Sequence, residues 1–147
     1  MKRKWTQLIV VVGMAGVMMA AVGCQQTKQV RPKRAAPVSD LQRIHFDYDR
    51  SAIKSEYKSV LEGNANWMKD HSGAKVVVEG HCDERGSTEY NIALGWRRAR
   101  STKNYMVSLG ISPSRLVTKS YGEERSLCTE SNESCWWKNR RAEFLKQ

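Results

Sequence analysis

The sequence predicts an α+β domain over residues 40–147, with elements in the order β-α-β-α-β and a last strand after a loop. Three observations predict it. Residues 75–79 read KVVVE, a β-branched run suited to a buried strand. Two longer stretches, near 54–70 and 89–109, repeat apolar residues at helical spacing. Gly73, Gly110 and Pro113 punctuate the chain between them.

In chain order, Leu41, Ile44 and Phe46 suggest a short first strand, ended by the turn-rich Asp47-Tyr48-Asp49-Arg50-Ser51. Tyr57, Val60, Leu61, Asn64, Ala65 and Met68 mark the first helix. The KVVVE strand then runs into the loop HCDERGS. Ser87 or Thr88 can cap the second helix, and Glu89 suits the positive end of its dipole. Its expected core stripe is Ile92, Trp96, Ala99, Met106 and Leu109. Gly110 stands where a C-terminal cap belongs, and Pro113 blocks continuation. Residues 116–121 and 142–146 read as the last two strands, with 127–137 a loop between them.

Outside the domain, residues 1–23 read as a signal peptide. Lys2, Arg3 and Lys4 precede an uncharged stretch from Leu8 to Val22 that is shorter than the roughly 20 residues a spanning helix needs. Ala21-Val22-Gly23-Cys24 resembles the lipobox of bacterial lipoproteins, which implies cleavage before Cys24 and lipidation of Cys24. Gln25, rather than Asp, implies by the same resemblance a lipid-anchored protein of the outer membrane with its domain in the periplasm. Ordinary signal cleavage beside a coincidental Cys is the other reading. Residues 24–39 form a lipidated N-terminus and a basic tether, with two prolines and no hydrophobic periodicity.

The net charge is +10, but seven of the 25 basic residues precede Asp40. The domain keeps 18 basic and 15 acidic residues, only +3, which is poor support for nucleic-acid binding. Hydrophobic residues at 40% exclude general disorder, and four Cys are too few for a disulfide-built miniprotein.

The stretch VEGHCDERGSTEYNIALGWRRA, residues 78–99, carries the chemistry. A strand delivers its end into a Gly-containing loop and a helix starts at once, a common place for ligands. Asp83 lies in the loop, and Asn91, Leu94 and Arg98 fall three and four apart along the helix, on a side other than the expected core stripe. An anion and a cation set apart in one cleft suit a zwitterion: Asp83 takes an ammonium, and the Arg98 guanidinium takes a carboxylate through two parallel hydrogen bonds. On this reading, removing either residue costs binding and leaves the fold intact. The alternative is an Asp83–Arg98 salt bridge that ties loop to helix.

With HFDYDRS (45–51), SYGEE (120–124) and NRRAEF (139–144), that stretch resembles the OmpA-like peptidoglycan-binding family and, within it, the peptidoglycan-associated lipoproteins. The resemblance implies a mixed four-stranded sheet with helices packed on one face. It implies binding of the meso-diaminopimelate of the peptidoglycan stem peptide, with Asp83 and Arg98 as the chief ligands. Phe46, Asp47, Tyr48, Glu89, Asn91 and Leu94 would be secondary contacts. It also implies Tol proteins as partners, in envelope integrity and cell division, and neither enzymatic activity nor a cofactor. The runner-up is a related lipoprotein acting mainly as a protein-interaction module outside the Tol system.

Three Cys remain after Cys24. Cys128 and Cys135 bracket a polar loop and are the favoured disulfide, which would leave Cys82 free; the alternative is Cys82 paired with one of them. A thiol enzyme needs a base, yet the adjacent His81 would point to the opposite face. His45, His71, His81 and Cys82 lack metal-ligand spacing. Arg140 can support the cleft or pair with a nearby acid.

Overall fold

A computed structural model describes residues 41–147; the signal peptide, Cys24 and the tether lie outside the described residues. The elements are β1 (Ile44–His45), α1 (Lys58–Asp70), β2 (Val76–His81), α2 (Thr88–Ser108), β3 (Leu116–Gly122), α3 (Glu133–Asn139) and β4 (Arg141–Lys146). The strands form one mixed sheet in the order β1-β4-β2-β3. β2 and β3 are parallel, joined through α2, and β4 is antiparallel to both β1 and β2.

Side-chain alternation divides the sheet into two chemical faces. Val76 and Val78 of β2 and Ala142 and Phe144 of β4 meet Leu61, Ala65 and Met68 of α1 and Ala99 and Met106 of α2 in the apolar core. The other face carries Glu79, His81, Arg141 and Glu143, all buried, with Glu79 directly opposite Glu143.

α2 begins as expected, with the Ser87 side chain accepting from the Tyr90 N–H. It ends at Ser108, and two residues on Gly110 takes a φ of 92°, a left-handed turn that favours glycine. Its seat on the sheet depends on two glycines. A Cβ on Gly80 would stand 1.9 Å from the Gly95 carbonyl oxygen, and one on Gly95 would stand 2.2 Å from Ser120 Oγ. Backbone therefore packs on backbone, and α2 is drawn tight over the end of β2.

Four expectations need correction. The first helix starts with a single 3₁₀ turn, Ser55–Tyr57, before α1. β1 has only two residues, although Phe46 N continues the pairing by donating to Arg140 O at 2.9 Å. The buried face of α2 is Asn91, Leu94, Gly95, Arg98, Ala99, Thr102 and Met106, so the Asn91–Leu94–Arg98 side is the inward one and Trp96 is exposed. Apolarity misled here because the inward face holds site residues whose polar groups are satisfied by neighbouring backbone. Finally, 127–137 is not all loop: α3 forms, capped by Asn132, whose side chain accepts from Cys135 N. Cys128 and Cys135 are joined by a disulfide, with Cα atoms 5.3 Å apart.

Candidate functional site

Where β2 ends and α2 begins, Tyr48, Asp49, Cys82, Asp83, Arg85, Gly86, Tyr90, Asn91, Leu94 and Arg98 line a cavity of ≈ 170 Å³. Arg98 is its cationic floor. Its Nε donates to Arg50 O at 2.8 Å, Nη1 to His81 O at 2.8 Å and Nη2 to Asp47 O at 3.1 Å. The Phe46 ring lies beneath, 5.3 Å from the guanidinium carbon. A guanidinium has five N–H groups, so one on each Nη is not used by these three bonds. Burial lowers the pKa of Arg98.

Asp83 is the anionic end and is also buried. Its Oδ2 accepts from Arg85 Nη2 at 2.6 Å and Arg140 Nη1 at 3.1 Å, and its Oδ1 from the Arg85 backbone N–H at 3.2 Å. Burial alone would raise its pKa, but the bonds from Arg85 and Arg140 hold it below the ordinary carboxylate value. Asp83 and Arg98 are not salt-bridged to each other; their partners are different groups. The simple loop-to-helix salt bridge is therefore not what the structure contains.

Asn91 braces the loop from α2. Its Nδ2 donates to Asp83 O and Arg85 O, each at 3.3 Å, and to the Glu123 carboxylate. Leu94 is a buried apolar wall and Tyr48 an exposed rim. Three sequence candidates do not line the cavity. Phe46 is core beneath Arg98. Asp47 contributes its carbonyl to Arg98 while its carboxylate pairs with Lys54 at 3.2 Å. Glu89 is exposed on α2.

Sequence reasoning missed Arg85, Asp49 and Tyr90 as lining residues. The loop motif containing Arg85 was the available signal, but nothing in it indicated the ring contacts. The Arg85 guanidinium lies over two rings, Tyr48 at 4.0 Å and Trp136 of α3 at 4.1 Å. Tyr90 donates its hydroxyl to the Asp49 carboxylate across the mouth. Arg140 serves both of its expected roles: its Nε donates to Phe46 O at 3.1 Å while its Nη atoms bond Asp83 and Glu133.

Among the described residues, Glu79, His81 and Glu143 bring three donor atoms within 4.8 Å, on the opposite face of the sheet from the core. Arginines already neutralise the carboxylates: Arg43 and Arg141 lie 3.2 and 3.1 Å from Glu143 Oε1, and Arg125 lies 3.8 Å from Glu79 Oε1. This is a buried ion network, and a divalent cation there would face three positive neighbours. His45 stacks on Trp137 and His71 on Trp67, so the histidines do not converge.

The OmpA family model matches residues 45–140. A peptidoglycan-associated lipoprotein of Mesorhizobium japonicum is 47% identical over 100 residues, 68% of this chain and 60% of that protein. One from Agrobacterium fabrum is 40% identical over 130 residues, 88% of this chain and 69% of that protein. The chain thus spans about three-fifths to two-thirds of the length of these relatives. The crystal structure of the peptidoglycan-associated lipoprotein from Burkholderia pseudomallei superposes with a TM-score of 0.70 at 31% identity, covering 72% of this chain and 90% of that one. The C-terminal domain of Helicobacter pylori MotB shares the fold, with a TM-score of 0.67 at 19% identity, covering 72% of this chain and 85% of that one. The mixed sheet, the cleft at the end of β2 and these matches place the chain in the OmpA family.

Proposed function

We propose that the protein is an outer-membrane lipoprotein that binds peptidoglycan noncovalently, gripping the diaminopimelate of a stem peptide. Cys24 carries the lipid, the tether spans away from the membrane, and the domain holds the wall from the periplasm. One observation carries this reading: Asp83 and Arg98 line one cleft without pairing with each other. Opposite charges held apart by separate neighbours match a ligand that presents an ammonium and a carboxylate on one carbon. The relatives' name, peptidoglycan-associated lipoprotein, supports peptidoglycan as the polymer bound. The role is mechanical, joining envelope layers during growth and division, with Tol proteins as partners.

A noncatalytic role agrees with Cys82. Burial pushes its thiol up to about 11, and its Sγ donates to Asn91 O. The His81 ring is turned to Glu79 on the other side of the strand. Cys82 and His81 are thus not brought together as a thiolate and its base.

Sedimentation with purified peptidoglycan tests the reading. The full-length protein should pellet, and Asp83→Asn should reduce its affinity at least ~30-fold, since a truncated buried pair costs 2–5 kcal/mol. Equal pelleting of both would sink the site. Co-purification with Tol proteins separates this role from that of a general interaction module.

A further inference from the structure

We propose that Arg85 is a gate on the cleft, and that a ligand ammonium reaches Asp83 only when the Arg85 guanidinium swings out. The proposal rests on the reading that Asp83 receives an ammonium. As the cleft stands, that place is taken: Arg85 Nη2 lies 2.6 Å from Asp83 Oδ2.

Two cations hold Asp83, and only one is free to leave. Arg140 is 4% exposed and anchored at Phe46 O, Asp83 and Glu133. The Arg85 side chain is 28% exposed and lies between Tyr48 and Trp136, at 4.0 and 4.1 Å, with Glu133 3.6 Å away. Stacking and ion pairing favour this closed position. One feature opposes it: the Arg85 Nε is buried without a hydrogen-bond partner. A buried donor left unpaired is costly, and outward rotation would return that N–H to water. The closed position is therefore held by aromatic faces and the carboxylates of Asp83 and Glu133, and a ligand ammonium can compete for Asp83.

The gate also connects the cleft to α3. Trp136 sits next to Cys135, bonded to Cys128, and its indole N–H donates to Glu84 Oε1 at 3.0 Å. The segment from 127 to 139 thereby sets how tightly Arg85 is held.

Calorimetric titration of the full-length protein with a stem tripeptide ending in meso-diaminopimelate tests this. Arg85→Ala should tighten binding about tenfold, the scale of a cation–π pair plus an ion pair removed from the competing state. Trp136→Ala should tighten it about threefold. Saturating ligand should change indole emission in the wild type but not in Trp136→Phe, a signature that a purely structural Arg85 would not produce. Melting curves verify that each variant is folded, and Arg85→Gln replaces Arg85→Ala if the latter is not. Weaker or unchanged binding by the Arg85 variant overturns the gate. Asp83→Asn separates the two ideas: if it binds like the wild type, the ammonium reading itself has failed, whereas lost binding there with unimproved binding at Arg85 sinks the gate alone.

Discussion

At the cationic end of the cleft, Arg98 is fully buried and each of its guanidinium nitrogens donates to a main-chain carbonyl. At the anionic end, Asp83 is held by the side chains of Arg85 and Arg140 and by one loop N–H. A group clasped by backbone from the end of β2 and the loop after β1 cannot move unless those segments move. A group clasped by side chains can change partners by rotating a few bonds. One end of the site is thus part of the fold, and the other is adjustable.

The largest test of that contrast is Arg98→Ala. It leaves carbonyls of Asp47, Arg50 and His81 without their donors, and should cost about 3–5 kcal/mol of stability. Denaturant melts measure it. This revises the sequence-based expectation that removing Arg98 would spare the fold. A loss below about 1 kcal/mol, the typical net worth of one hydrogen bond, would break the comparison.

A smaller effect should follow reduction of the disulfide between Cys128 and Cys135, separated by seven positions. A loop that short contributes about 2 kcal/mol by chain-entropy arguments. Hydrogen exchange should speed up across 127–139 and remain slow in α2. Loosening of α2 to the same degree would mean that the two ends of the cleft are one cooperative unit.

The smallest effect is on pH dependence. The Asp83 pKa is lowered from 3.8, so its native interactions add stability that is fully present above that value and is lost as pH falls through the folded pKa. Between pH 5 and 7, Asp83 should contribute no slope to stability. Comparing Asp83→Asn with the wild type by denaturant melts at pH 7, 6, 5 and 3 checks this. The stability gap should be constant down to pH 5 and narrow only in strong acid. Narrowing that begins near pH 6 would show that Arg85 and Arg140 do not hold the carboxyl down.

Much of the architecture was legible in local pattern. The strand at 76–81, the cap at Ser87 and the stop at Gly110 follow from β-branching, side-chain oxygen chemistry and glycine's tolerance of positive φ. α2's inward face was misread because Asn91, Arg98 and Thr102 look like solvent residues until backbone carbonyls and neighbouring side chains are placed around them. α3 was missed because its Cys-Trp-Trp run lacks a long apolar repeat, and a seven-residue helix depends on tertiary support.

Local sequence specified the element order, the residues of the loop-to-helix motif and the separation of Asp83 from Arg98 by a loop and a helical stretch. These depend on neighbours within a few positions, which local chemistry specifies. Packing of distant segments set the inward turn of Arg98, the sharing of one carboxylate by Arg140 and Arg85, and the enclosure of Arg85 by Tyr48 and Trp136. Most of those contacts join residues distant along the chain, and Arg98 reaches its carbonyls from a helix that Gly80 and Gly95 let approach the sheet closely.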